Sequence, residues 1–313
     1  MKTIKPKKLQ KNDTIGIISP GSSPDDLSKI EDGVKYLENL GYNVEIGKNV
    51  GKTNGYLAGN DNERLNDLHY MFQKKEIKAI FCLRGGYGSC RLLDKIDFNI
   101  IKKNPKIFVG YSDITALHLA IFKKTNLITF AGPMIASDFL EGLNEKAEEF
   151  FWSMMTSSKK IGRIKSIGDR EIQSLRKGKS HGTLLGGNLS VLTSLLGSDF
   201  IPKFDKNILL LEETCEPPYK IDRMFNQLRL AGIFQKTAGV ILGSFNNCRE
   251  ENSEKYTYTL GEVIQAYLGN SKKPVIYNLS HGHIKEILTL PIGLKVKLNA
   301  DRNYIEFTES GVA

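Results

Sequence analysis

Through the first 130 residues, short unbroken apolar runs alternate with longer segments whose apolar positions recur every three or four residues. "TIGII", "NVEIG", "IKAIFCL", "KIFVGY" and "LITFAG" read as strands. Between them, Leu27, Ile30, Val34 and Leu37 mark one helix face, and Leu65, Leu68, Met71 and Phe72 mark another. "RGGYGSCRLLDKI" reads as the opening of a further helix, and Ile114, Leu117 and Ala120 follow at helical spacing. Apolar strands of this kind, separated by helices, predict a parallel sheet covered on both faces, Rossmann- or flavodoxin-like in layout. In such sheets the ligand crevice is built by loops at the C-terminal strand ends. Three loops stand there: "SPGSSP", "RGGYG" and "YSD".

After residue 140 the rhythm changes. "NEKAEEFFWSMM" reads as a helix, and the charged stretch to residue 178 has little pattern. Beyond it come "GTLLGGNLSVLTSLLG", the strand "NILLLEE", a helix around 220–231, the strand "AGVILGSF" and a β-rich tail. The expected fold is therefore α/β: an N-terminal parallel-sheet domain (1–140), a connecting segment (141–178) and a C-terminal mixed β/α domain (179–313). No internal repeat is evident.

Composition changes this picture little. With 313 residues and 40% hydrophobic content, the chain can bury a large core without disulfides or structural metal. The four cysteines, Cys82, Cys90, Cys215 and Cys248, lack zinc-site spacing. The net charge of +9 raises the question of nucleic acid, but the lysines are scattered apart from "KTIKPKK" and "FKKTN". No RNA-binding aromatic signature accompanies them. The N-terminus lacks the apolar core of a signal peptide, and no run approaches a membrane span. The expectation is a cytoplasmic protein with no nucleic-acid or membrane partner.

Four segments carry candidate chemistry. Ser112 sits between an apolar strand and a helix, which suits either an N-cap or a nucleophile on a sharp turn. "RGGYG" brings backbone N–H groups close to a ligand, to cradle a phosphate or to form an oxyanion hole. Glu212 and Glu213 end the apolar run "ILLL", as solvated acids or as the carboxylate that orients a histidine. His281 and His283 lie on a loop after a strand, where a general base fits. Their H-G-H spacing brings no third nearby metal ligand, so neither metal nor cofactor is expected. His118, about 1.5 turns beyond Ser112, falls on the wrong side of its helix to be the base.

Taken in order, "IGIISPGS", "YLAGNDNERLNDLH", "AIFCLRGGYGSCRLL", "FVGYSDITALHLA", "TFAGPM", "GGNLSVLTSLLGS", "LLLEETCEPPYKIDRMFNQLRLAG" and "GHIKEILTLPIG" resemble the LD-carboxypeptidase family of serine peptidases. The family includes muramoyltetrapeptide carboxypeptidases and microcin C immunity peptidases. The resemblance implies a Ser–Glu–His triad split between two domains: Ser112 as nucleophile, Glu212 as acid and His283 as base. Glu213 and His281 fall on less specific positions. Gly86 and Asp113 are the implied N–H donors of the oxyanion hole. Arg84, Gly85 and Tyr111 are the implied substrate contacts, with Arg84 a candidate for the terminal carboxylate. A homodimer is also implied. The sequence departs from many relatives at Ala131, where they carry histidine, and at His281, where an apolar residue is usual.

Three functions follow as expectations. The first is hydrolysis of the L,D-peptide bond to the terminal D-alanine of a murein tetrapeptide during cell-wall recycling. The second is cleavage of a peptidyl- or aminoacyl-nucleotide toxin, which needs an aromatic or polar platform for the base; the sequence places none, although Trp152, the only tryptophan, lies just after the N-terminal domain. The third is a non-catalytic module that cradles an anion on "RGGYG".

Overall fold

The computed structural model describes residues 3–165, 167–168, 170–250 and 257–313. Ser166 and Asp169, within the stretch read as a connection, and Met1 and Lys2 at the basic N-terminus lie outside the described residues. The strands are β1 (Thr14–Ile18), β2 (Asn43–Ile46), β3 (Ile77–Cys82), β4 (Ile107–Gly110), β5 (Thr129–Ala131), β6 (Gly162–Ile164) and β7 (Gln173–Arg176). They continue as β8 (Lys179–Asn188), β9 (Ile208–Thr214), β10 (Gly239–Asn246), β11 (Val275–Tyr277), β12 (Leu290–Ile292), β13 (Lys295–Asn299) and β14 (Tyr304–Phe307). The helices are α1 (Ser28–Asn39), α2 (Asp61–Gln73), α3 (Phe98–Lys103), α4 (Thr115–Thr125), α5 (Glu145–Thr156), α6 (Leu189–Ser194), α7 (Pro218–Leu230), α8 (Ile233–Lys236) and α9 (Leu260–Leu268).

Two sheets organise the molecule. The first runs β12-β5-β4-β3-β1-β2, with β1 to β5 mutually parallel and β12 antiparallel at the edge. The second runs β6-β14-β13-β8-β9-β10-β11-β7, a parallel centre from β8 to β11 flanked by antiparallel strands. The fold is thus an α/β arrangement with two mixed sheets, the first parallel except for its edge strand β12. Continuous burial along β4, along β3 from Ala79 onward and along most of β9 accounts for their apolar runs, as expected of strands covered on both faces.

Three details differ from the sequence reading. "RGGYGSCRLL" opens no α-helix: Ser89–Leu92 makes a single 3-10 turn. Gly88 there has φ of +123°, and its carbonyl is taken by the buried Arg64 guanidinium, 2.9 Å away. The stretch 141–178 carries α5 and supplies β6 and β7 to the second sheet. Finally, the tail is divided. β12 leaves the second sheet and pairs with β5, Leu290 opposite Ala131 and Ile292 opposite Thr129.

Candidate active site

Ser112 follows β4, "RGGYG" follows β3 and "SPGSSP" follows β1, so three adjacent parallel strands deliver their loops to one edge of the first sheet. Glu212 comes from β9, near its C-terminal end, and His283 from the loop after β11. The structure joins these residues, distant in sequence, into one hydrogen-bonded chain. Ser112 Oγ lies 3.1 Å from His283 Nε2, and His283 Nδ1 lies 2.9 Å from Glu212 Oε2.

Ser112 caps no helix. It has φ of +60° and begins a 3-10 turn that leads into α4, and Ile114 occupies the N-cap position of that helix with no side-chain cap. A left-handed conformation is uncommon for a residue with a side chain and marks a turn held by its surroundings. The neighbours that hold it are small. A Cβ on Gly85 would lie 3.1 Å from Ser112 Cβ, so only glycine lets the "RGGYG" backbone come this close.

The Asp113 side chain fastens the two loops together. Its buried carboxylate accepts hydrogen bonds from the N–H groups of Gly88 (3.2 Å) and Ser89 (2.9 Å), and its carbonyl accepts from Ser89 Oγ. "SPGSSP" is tied in as well: Ser22 N–H donates to the Gly85 carbonyl, and Tyr87 N–H donates to Ser22 Oγ. The N–H groups of Gly86 and Asp113 have no acceptor among the described residues, which leaves them available to an incoming oxygen.

The two adjacent glutamates separate because successive strand residues face opposite ways. Glu212, 1% exposed, meets His283. Glu213 instead accepts from Asn188 Nδ2 and from the N–H groups of Ser190 and Thr214, which anchors the start of α6. Burial pushes the Glu213 carboxyl up. For His283, burial disfavours the imidazolium, but the Glu212 hydrogen bond and charge, helped by Asp138 and Glu213, outweigh it and raise the ring above its ordinary 6.5.

His281 makes no hydrogen bond to this chain: its buried ring, near enough to feel the charges of Glu212 and His283, has Nδ1 2.8 Å from the Leu288 carbonyl, and burial lowers its pKa. His118 bonds the Gly110 carbonyl and Thr129 Oγ1, and burial lowers it to about 4. Both are structural histidines. Among the described residues no group of histidine, cysteine and acidic side chains is placed to hold a metal ion.

Beside His283 opens a cavity of 320 Å³. Tyr111 forms one wall, its ring 4.9 Å from the imidazole centroid, and Asp138, Glu141, Gly142 and Lys285 form others. Tyr111 Oη donates to Asp138, which also accepts from Ser137 Oγ and the Met134 N–H. Arg84 lines a neighbouring cavity that shares Ser137 and Glu141 with the first. Its guanidinium donates to the Ser23 carbonyl and to Asp25. Asp138 carries no sequence motif, and Lys285, inside "GHIKEILTLPIG", has no chemical signal of its own; the folding of the segment after β5 and of the loop after β11 sets them by His283. Trp152 is elsewhere. It stacks on Tyr42 at 5.3 Å, donates to Tyr36 Oη and lines a separate cavity with no residue in common with the His283 cavity.

Comparison with known proteins agrees with this architecture. The chain is 40% identical to the probable murein peptide carboxypeptidase of Bacillus subtilis (strain 168), over 94% of this chain and 91% of that one. It is 31% identical to the microcin C7 self-immunity protein MccF of Escherichia coli, over 96% of this chain and 94% of that one. The structure of MccF in complex with aspartyl sulfamoyl adenosine superposes with a TM-score of 0.89 at 29% identity, covering 99% of this chain and 100% of that one. A muramoyltetrapeptide carboxypeptidase from Oxalobacter formigenes gives a TM-score of 0.82 at 31% identity, covering 94% and 97%. Residues 15–132 match the LD-carboxypeptidase N-terminal domain and residues 181–298 its C-terminal domain, so the chain belongs to the LD-carboxypeptidase family.

Proposed function

We propose that the protein is a serine L,D-carboxypeptidase that removes the terminal D-alanine from murein tetrapeptides, in the service of cell-wall recycling. The observation that carries this reading is the unbroken chain from Ser112 Oγ through His283 to the buried Glu212. Its likeness to carboxypeptidases that act on murein peptides supports the substrate.

In this mechanism Ser112 Oγ attacks the carbonyl carbon of the penultimate residue while His283 Nε2 takes its proton. Glu212 fixes the Nδ1–H tautomer and stabilises the imidazolium. The oxyanion is held by the N–H groups of Gly86 and Asp113. Collapse breaks the C–N bond, His283 returns its proton to the leaving amine, and D-alanine departs. Water, deprotonated by His283, then attacks the acyl-enzyme, which releases the tripeptide and restores Ser112. Arg84, Gly85 and Tyr111 contact the substrate, and the reaction calls on no metal or cofactor. The expected form is a cytoplasmic homodimer.

MccF's likeness supports a second reading, cleavage of an aminoacyl-nucleotide. The absence of Trp152 from the lining of the His283 cavity weakens it, because Tyr111 is then the aromatic side chain at hand. Mass spectrometry of a murein tetrapeptide separates the two. Wild-type protein should remove one alanine, and Ser112→Ala should lower the rate by about 10⁴–10⁶-fold. Removal of alanine at equal rates by both would eliminate Ser112 as the nucleophile. An intact tetrapeptide alongside a cleaved aminoacyl-sulfamoyl adenosine would favour the second reading.

A further inference from the structure

A carboxypeptidase must recognise the charge at the end of its substrate, and the mechanism limits where that charge can lie. His283 Nε2 has to come within hydrogen-bond reach of the leaving nitrogen to protonate it. The carboxylate carbon of the departing residue is only two bonds from that nitrogen. Its anchor therefore belongs on the His283 side of Ser112, in the 320 Å³ cavity that His283 itself lines.

The charges of that cavity are unequal in their freedom. Glu141 is paired with Lys29. Asp138 accepts three hydrogen bonds, from Tyr111 Oη, Ser137 Oγ and the Met134 N–H. Lys285, exposed and two residues beyond His283 on the same loop, has no ion-pair partner among the described residues. Its backbone is fixed, since its carbonyl accepts the Asn144 N–H at 2.9 Å at the start of α5. Its ammonium lies beside Gly142, where a Cβ would sit 3.8 Å from Nζ. Arg84, in the adjoining cavity, is already engaged by Ser23 and Asp25.

We infer that Lys285 binds the terminal carboxylate of the departing residue, which makes the His283 cavity the leaving-residue subsite and Lys285 the determinant of exopeptidase action. The assignment rests on the carboxypeptidase reading above. An ammonium–carboxylate contact at a partly exposed site is made in both ground and transition states, so its loss falls on KM. Deacylation is untouched, because the residue that Lys285 holds has by then departed.

The test compares a murein tetrapeptide ending in D-alanine with the same peptide ending in D-alaninamide, on wild type, Lys285→Ala, Lys285→Arg and Arg84→Ala. Wild type should prefer the free acid. Lys285→Ala should raise KM for the acid by about 10–100-fold, the range for a hydrogen bond to a charged group, and leave the amide's KM nearly unchanged. Lys285→Arg should restore most of the preference. A Lys285→Ala enzyme that still prefers the acid overturns the inference, and loss of that preference in Arg84→Ala instead would place the carboxylate in the neighbouring cavity. Failure of the wild type to cleave either peptide would overturn the carboxypeptidase reading, and this assignment with it.

Discussion

In the proposed mechanism His283 is neutral when it accepts the Ser112 proton, so the direction of its pKa shift sets the acid side of the pH profile. With the ring held above 6.5 by Glu212 and its neighbours, kcat/KM should climb with a midpoint above that value. Glu212→Gln removes the charge that raises the ring and leaves burial, which lowers it. The acid limb should move to lower pH, and kcat should fall by about 10⁴-fold as the tautomer is lost. A limb that stays in place in Glu212→Gln would mean that another group titrates there. At this scale much of the site is legible in the sequence: Ser112 and Glu212 each close an apolar run, and His283 sits in a short motif shared with a family. Asp138 is not legible, since an isolated acid has no pattern until the backbone brings it to a ring, and Lys285, although inside that same motif, carries no signal that marks it for the site.

Among the elements, the turn between β4 and α4 depends on a partner loop rather than on its own residues. Asp113 holds that partner by accepting two buried N–H groups, so Asp113→Ala would leave both without an acceptor. Destabilisation of about 2–6 kcal/mol is expected, measurable by urea unfolding, since each of the two orphaned donors costs about 1–3 kcal/mol. Unchanged stability would show that water replaces the carboxylate. The strands β1, β3, β4 and β9 were readable because burial on both faces demands continuous apolar sequence. The three-residue strands β6 and β12 were not: periodicity needs more residues than these supply, and their pairing is decided by distant chain. At "RGGYG" the glycines correctly announce a tight turn, but the following apolar residues suggest a helix that the loop's attachments shorten to one 3-10 turn.

For the whole molecule, the division of the tail matters most. β12 covers the edge of β5, so a fragment ending at residue 140 would present an open strand edge and is expected to self-associate in size-exclusion chromatography. The intact chain, with both sheets sharing the tail, should unfold in one calorimetric transition. Two resolved transitions would mean that the sheets hold together independently. The same topology puts the parts of the site in the hands of synthesis order. Ser112 is separated from His283 by 171 positions, roughly 10–30 s of translation, and His283 precedes β12 by only a few residues. A nascent chain therefore presents Ser112 long before it has His283 to pair with or an edge strand to finish the first sheet. The hydrogen-bonded chain from Ser112 through His283 to Glu212 therefore forms only after the central strands of the second sheet have been made.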